Sequence, residues 1–346
     1  MEYRKLGNSG IDVSVICLGT MTFGEQNTEA EAHEQLNYAV DNGVNFIDTA
    51  ELYAIPSRKE NSGLTEQYIG SWLKDRKDRD KIILATKVTG PSQNLGYISE
   101  NLGFSRPRIL EAVDRSLRQL QTDYIDLYQL HWPERNTNMF GKRGFKYQPG
   151  EQWKDNFEEV VSTLNQLIQE GKIRHWGLSN ETPWGIMRTQ AAALKLNMEG
   201  AVSVQNPYSL LNRTFEVGNA EVAIREGIGL LAYSPMAFGL LSGKYHRKEE
   251  RADARLHKYK QMARYNSNVS YKATQKYLDI ADKHGLSLAQ MALAFINQQA
   301  FLTSNIIGAT SMAQLKENIA SSNIKLSKDI MREIEEVHEE MPNPAP

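Results

Sequence analysis

The sequence predicts one (β/α)8 barrel of the TIM type, capped at one end by an N-terminal β-hairpin and carrying long loops after its strands. Three observations predict it. Eight short apolar runs alternate with longer segments of helical period, an order that forces a parallel sheet because each strand must return through a crossover helix. No Pro/Gly/Ser-rich linker interrupts them, so the chain reads as one domain over 1–346. Its 346 residues also exceed the roughly 250 of a plain barrel by an amount that loops can absorb. The competing architecture is a doubly wound open sheet. No G-x-G-x-x-G follows any strand, so its usual dinucleotide fingerprint is missing.

The elements follow in order. Tyr3 to Cys17 carries Gly7-Asn8-Ser9-Gly10 between two apolar runs and reads as a hairpin able to cap the barrel. The first strand is Val13 to Leu18, followed by a helix with a stripe of Ala32, Leu36, Ala39 and Val40 that Gly43 closes. Val44 to Asp48 is the second strand, with Val44, Phe46 and Asp48 on one face. Ile82 to Lys87 is the third, with Ile83, Ala85 and Lys87 on one face. A second helical stripe, Leu110, Val113, Leu117 and Leu120, leads to the fourth strand, Tyr124 to His131, which aligns Ile125, Leu127, Gln129 and His131. Ile173 to Ser179, Ala201 to Gln205, Gly229 to Ser234 and Asn305 to Gly308 complete the eight. Five segments hold the extra length: 54–63, 88–105, 132–150, 235–271 and 321–346. The last residues, Pro342 to Pro346, read as a frayed tail.

Composition removes several classes of function. Forty Lys+Arg against 42 Asp+Glu give a formal charge of -2, with no overall basic field for nucleic acid or an anionic membrane. Hydrophobic residues at 40% exclude disorder. The most apolar stretch, Gly227 to Gly243, is broken by Tyr233, Ser234 and Pro235 and is too short to span a bilayer. Cys17 is the one cysteine and the N-terminus has no signal-peptide core, so a cytoplasmic protein is expected and the sequons at Asn180, Asn212 and Asn268 are chance matches. The seven histidines form no H-x-x-x-H pair, so no metal is expected. Gly239 to Tyr245 fails as a P-loop, and no G-x-S-x-G occurs.

In this fold the chemistry sits where strands end. Asp48, Lys87 and His131 close three consecutive strands, and Tyr53 follows in the loop after the second. Neighbouring parallel strands lie about 4.8 Å apart, so these side chains should converge. A lysine beside a tyrosine is expected to lower the phenol pKa, a carboxylate to hold the lysine, and the tyrosine to protonate a carbonyl oxygen that His131 orients. A structural ion pair at the barrel mouth and a satisfied core histidine are the alternative reading of each residue taken singly. Ser179, Asn180 and Gln205 close the fifth and sixth strands with groups suited to an amide. Lys244 and Arg255 suit a 2′-phosphate, or else belong to a solvated charge run with Glu249, Glu250 and Asp253. Gly308, just before a helix starting near Ser311, leaves room for a phosphate at the helix N-terminus.

Asp48-Thr49-Ala50-Glu51-Leu52-Tyr53, Lys87 and the run Asp123-Tyr124-Ile125-Asp126-Leu127-Tyr128-Gln129-Leu130-His131-Trp132 resemble the signatures of the aldo-keto reductases. The resemblance runs from Leu18-Gly19-Thr20-Met21 to Ile307-Gly308-Ala309-Thr310 and is strongest to the bacterial Tas-like reductases, relatives of the voltage-gated potassium-channel β-subunits. It implies NADPH-dependent reduction of aldehydes or ketones, with a tetrad of Asp48, Tyr53, Lys87 and His131 in which Tyr53 is the general acid. It further implies that Ser179, Asn180 and Gln205 hold the nicotinamide carboxamide, with Gly19, Thr20, Met21, Gln26 and Asp48 also on the cofactor, and that Tyr233 stacks on the ring. The pyrophosphate loop would be Ser234, Pro235, Met236, Ala237, Phe238, Gly239, Leu240, Leu241, Ser242, Gly243 and Lys244. Arg255, Gly308 and Thr310 would join it on the cofactor, and Gln314, Glu317 and Asn318 would meet the adenine. Many members have Gly-x-Gly-x-Ser-Glu after the tyrosine; here Ala54 to Gly63 intervene before Leu64-Thr65-Glu66.

The substrate is then expected to be a small carbonyl compound touching Tyr53, His131 and Trp132. Trp132, Phe140, Trp153, Tyr208 and Phe238 are the candidates to line an apolar cleft, or else to pack the long loops down. The alternative function is a cofactor-bound sensor with vestigial turnover. A weaker one is a barrel lyase that uses Lys87 as a Schiff-base amine.

Overall fold

The computed structural model describes residues 1–248, 254–259 and 263–346. Glu249, Glu250 and Asp253 of the charged run lie outside the described residues. The hairpin is made of β1 (Tyr3–Lys5) and β2 (Asp12–Ser14), paired antiparallel. β3 (Ile16–Gly19), β4 (Phe46–Asp48), β5 (Ile83–Val88), β6 (Ile125–Leu130), β7 (Ile173–Ser179), β8 (Ser203–Pro207), β9 (Gly229–Tyr233) and β10 (Leu302–Ile307) form a closed parallel barrel, β10 pairing with both β3 and β9. Each strand feeds a returning helix: α1 (Glu29–Asp41), α2 (Leu64–Lys74), α3 (Arg106–Leu120), α4 (Phe157–Gln169), α5 (Pro183–Leu196) and α6 (Asn219–Arg225). After β9 come α7 (Lys244–Arg247), α8 (Arg255–Lys258), α9 (Asn268–Lys283) and α10 (Leu288–Asn297), and after β10 α11 (Met312–Ala320) and α12 (Lys328–Glu340). Among the described residues no helix is long and apolar enough to cross a membrane.

Local chemistry explains the helix starts. Thr28 and Glu31 cap α1 reciprocally, and Thr182, Ser267, Ser287, Ser311 and Ser327 each accept from the N–H three residues on, starting α5, α9, α10, α11 and α12. Such a cap contributes about 1 kcal/mol. The predicted stripe of α1 packs inward through Ala32, Leu36 and Ala39. That of α3 is rotated by about one position: Ile109, Ala112, Val113 and Leu120 are buried, while Leu110 and Leu117 pack only partly. The face is shifted because it also takes in the buried polar residues Arg108 and Ser116.

Period-two alternation divides the wall between two cores. Ile47, Leu84, Val88, Tyr128, Trp176, Val204 and Leu230 pack outward against the helices. Cys17, Phe46, Ile83, Ala85, Leu127, Leu231 and Ile306 fill the barrel, and Leu6, Val13 and Val202 close its amino end. The hairpin is therefore the predicted cap. Gly7 is required in it, because φ is +51° and a Cβ would stand 2.0 Å from Val202 O.

The structure corrects some expectations. The run Val13 to Leu18 is two strands, not one: the chain leaves the hairpin at Ser14 and enters the wall at Ile16, so Cys17 belongs to the barrel. Val44 precedes β4 and packs outside, apart from Phe46. The tail is not frayed. Ala345 is buried and its N–H donates to Leu211 O at 2.9 Å, Arg264 Nε donates to Pro346 O at 2.7 Å, and Arg143 Nη2 to Pro344 O at 2.9 Å. Proline-rich backbone offers carbonyls without N–H groups, and arginine side chains satisfy them.

One buried group links this packing to pH. Glu66 on α2 is fully buried against β5 and accepts from Thr86 Oγ1 at 2.6 Å. Burial raises its pKa from 4.5 to about 7, against the opposing hydrogen bond from Thr86. The folded state thus binds this proton more tightly than the unfolded chain. Its contribution is complete below about pH 4.5 and is lost as pH rises through about 7. Urea unfolding of wild type and Glu66→Gln between about pH 5 and 8 should show the wild type losing stability relative to the variant. A pH-independent difference contradicts the assignment.

Candidate active site

The polar layer above the barrel core is built on Asp48. Its Oδ2 accepts from Lys87 Nζ at 2.6 Å, and its Oδ1 from Gln129 Nε2 at 3.0 Å and Gln205 Nε2 at 2.9 Å. Lys87 Nζ also donates to Thr49 O at 2.6 Å, and Gln205 Nε2 contacts Gln129 Oε1 at 3.0 Å. The barrel register makes this possible. Asp48 pairs with Ala85, Lys87 with Gln129 and Ser179 with Gln205, so inward side chains of β4, β5, β6 and β8 meet near the axis. Gln129 stands on the inward face that sequence periodicity gives β6, but its part in holding Asp48 needed the register to find.

Asp48 and Lys87 are 2% and 0% exposed. Burial alone would drive the Lys87 pKa down; the charge of Asp48, with Tyr53, outweighs it and drives the net shift up. Lys87 is thus a charged ammonium holding two acceptors, which leaves the Schiff-base reading no free amine. Its Nζ lies 5.0 Å from the centroid of the Tyr53 ring, and that ring meets His131 edge-on at 5.8 Å. The Tyr53 pKa does not fall as the sequence led us to expect. Burial raises it above 10, and the lysine lowers it by less. The phenol therefore keeps its proton through neutral pH. His131 is pushed well below its ordinary value, by burial first and Lys87 second, and is neutral. The four predicted residues converge.

They open into a cavity of about 1130 Å³ at the carboxyl ends of the strands. Asp48, Tyr53, His131, Trp132, Ser179, Asn180, Gln205 and Tyr233 line its inner end. Asn180 Oδ1 accepts from Tyr233 OH at 2.6 Å, and Ser179 Oγ donates to Gln205 O at 2.8 Å. Gly19, Thr20, Met21, Gln26, Gly308, Thr310, Gln314, Glu317 and Asn318 line the arm toward α11. Ser234, Pro235, Met236, Phe238, Gly239, Ser242 and Lys244 form the opposite wall, with Arg255, whose Nη2 donates to Gln26 Oε1 at 3.2 Å.

Of the residues expected to meet the cofactor, Ala237, Leu240, Leu241 and Gly243 do not line the cavity. The first three are fully buried on the packed side of the 3-10 turn Ala237–Ser242. Of the predicted cleft aromatics, Trp132, Phe140 and Phe238 line the cavity, whereas Trp153 and Tyr208 do not. Trp153 packs on Phe157 and Trp184, and Tyr208 is buried between Phe295 and Phe301 with its hydroxyl on Glu216. Sequence reasoning missed Leu52, Ile55, Arg143, Arg264 and Pro346, which also line the cavity. The inserted residues after Tyr53 are tied in by Glu25, which binds Arg58, accepts from Asn61 Nδ2 at 3.2 Å and from Tyr259 OH at 3.0 Å.

The chain is similar to known proteins over nearly its whole length. The model of the Aldo/keto reductase family matches residues 15–339. Protein tas of Escherichia coli is 49% identical across 100% of both chains. An uncharacterized oxidoreductase, YrpG, of Bacillus subtilis is 34% identical, covering 97% of this chain and 96% of its own. A probable voltage-gated potassium channel subunit beta of Arabidopsis thaliana is 31% identical, covering 99% and 98%.

Removing one member of the buried pair should show how strongly it is coupled. Lys87→Met leaves the Asp48 carboxylate without a counter-charge and should lower stability by about 3–5 kcal/mol in chemical denaturation, while Asp48→Asn/Lys87→Met should recover most of the loss. Equal stability of wild type and Lys87→Met contradicts a dry ion pair.

Proposed function

The chain belongs to the aldo/keto reductase family, a family of oxidoreductases, and from that premise we propose that it reduces aldehydes or ketones to alcohols with NADPH, Tyr53 supplying the proton. The observation that carries this reading is the Tyr53 ring standing 5.0 Å from Lys87 Nζ, over a buried Lys87–Asp48 pair, in an open cavity. NADPH, held by Ser179, Asn180, Gln205 and Tyr233, would supply the hydride that reduces the carbonyl carbon. Tyr53 gives its proton to the carbonyl oxygen as negative charge develops there, and the Lys87 ammonium stabilises the phenolate left behind. Neutral His131 lies beside the phenol and orients the oxygen. Trp132, Leu52 and Phe140 give the cavity apolar surface for the carbon skeleton of the substrate.

Several features fit the cofactor. The cavity exceeds the 300–1,000 Å³ or so of an ordinary small-ligand pocket, as an extended dinucleotide with a substrate requires. Ser179, Asn180 and Gln205 offer amide partners, and Tyr233 an aromatic face. A Cβ on Gly308 would meet nothing nearer than Gly19 O at 3.9 Å, so the glycine leaves space for a phosphate beside the first turn of α11. Arg255 and Lys244 suit the 2′-phosphate, and Gln314, Glu317 and Asn318 an adenine.

Tyr53→Phe should lower kcat/KM for carbonyl reduction by about 10²- to 10⁴-fold while NADPH affinity, followed by protein fluorescence, holds. An unchanged rate defeats the acid role. Arg255→Ala should weaken NADPH by about tenfold, the loss of one charged hydrogen bond, and NADH far less. Equal losses for both cofactors contradict the 2′-phosphate contact. A screen of NADPH and NADH against aliphatic and aromatic aldehydes, dicarbonyls and quinones gives the reaction class. Tight NADPH binding with negligible turnover on all of them favours the sensor reading, which the similarity to a potassium channel subunit supports.

A further inference from the structure

β4 ends at Asp48, but its pairing with β5 continues into the turn that carries Tyr53. Thr49 N donates to Ala85 O at 2.9 Å and Glu51 N to Lys87 O at 3.2 Å. The next rung falls two residues along, at Thr89. Its N–H goes to a side chain: Glu51 Oε1 accepts it at 2.5 Å. The same oxygen receives Arg108 Nη2 from α3 at 2.5 Å. Glu51 and Arg108 are 0% and 2% exposed, so water does not solvate either charge. Arg108 Nη1 also approaches the Glu111 carboxylate at 3.7 Å. Among the described residues Glu51 Oε2 and Arg108 Nε have no hydrogen-bond partner. The pair is therefore not a saturated strut between helix and barrel. It grips the one oxygen that closes the ladder.

We propose that Glu51 and Arg108 are a positioning pair that fixes the Tyr53 phenol relative to the Lys87 ammonium. Tyr53 lies two residues beyond the last rung, its N–H turned back onto Ala50 O at 3.0 Å, and Lys87 is itself one of the rungs. Tying Glu51 to Thr89 makes one rigid unit of the loop that bears the phenol and the strand that bears the ammonium. Without the tie, the ladder ends at Lys87; the turn keeps bonds within its own loop, Gly63 N to Tyr53 O and Ser57 Oγ to Leu52 O, each at 2.7 Å, but neither reaches the strand that bears the ammonium. An error of about 1 Å at a reacting group lowers rate by about 10²-fold, so the tie acts on turnover more than on binding. The proposal rests on the reading of Tyr53 as proton donor.

The test uses full-length Glu51→Leu/Arg108→Met, which replaces both charges with apolar groups of similar reach, and Glu51→Gln/Arg108→Met, which keeps an acceptor for Thr89. Protein labelled with carbon-13 at the tyrosine ζ position reports the Tyr53 ring directly, its signal assigned by absence in Tyr53→Phe. The first variant is expected to keep the wild-type NADPH affinity, to lose about tenfold to a hundredfold in kcat with KM little changed, and to displace the Tyr53 signal. The second is expected to fall between it and wild type, and it carries the test if the first does not fold. A folded variant lacking the pair with unchanged kcat and an unchanged Tyr53 signal overturns the proposal. A wild type that reduces no carbonyl defeats the reading of Tyr53 as acid, and the Tyr53 signal alone then decides whether the pair positions the ring.

Discussion

The carboxyl end of this barrel is organised around a lysine ammonium held 2.6 Å from an aspartate carboxylate where water does not reach. Desolvating two charges costs several kcal/mol per ion, so such a contact persists only with good geometry and with the remaining lone pairs satisfied. Asp48 meets that demand with Lys87, Gln129 and Gln205, brought from three other strands, and Lys87 with the Thr49 carbonyl. A closed parallel barrel offers this convergence because inward residues of neighbouring strands share one axis. The result is a fixed positive charge beneath Tyr53 and a neutral imidazole beside it, an environment suited to a proton donor.

Much of this was legible in the sequence, because the period of a strand is two and a barrel puts strand ends together. Phe46 with Asp48, and Ile83 and Ala85 with Lys87, share a face by alternation alone, and the four converging residues follow. Register was not legible. Lys87 stands level with Gln129, not with Asp48, which is why Gln129 reaches the carboxylate. The upward Tyr53 shift was not legible either: proximity to a lysine follows from strand order, whereas desolvation depends on loops distant in sequence that pack beside the ring. The stripe of α3 turned by a residue for a similar reason: Arg108 is drawn inward by Glu51, an interaction that hydrophobic periodicity does not encode.

The length beyond a plain barrel also takes on a physical meaning. The insertions after β4, β5 and β6 pack on one another through Leu52, Ile55, Leu95, Tyr97, Leu102, Trp132 and Met139. The segment after β9 reaches across to Gln26 and Glu25. The C-terminal residues close the rim through Arg143 and Arg264. None of these contacts has a short-range signature, since each joins loops distant in sequence, and together they shape the mouth of the cavity.

For Tyr53, the proposed proton donor, desolvation outweighs the nearby lysine and shifts the phenol pKa upward. The most direct measurement is the pH dependence of kcat for carbonyl reduction in wild type and Tyr53→Phe. The wild-type rate should stay level through neutral pH and fall only above about pH 10, with that fall absent from the residual activity of the variant. A wild-type rate that falls with a midpoint near neutral pH, or the same alkaline limb in Tyr53→Phe, would contradict it.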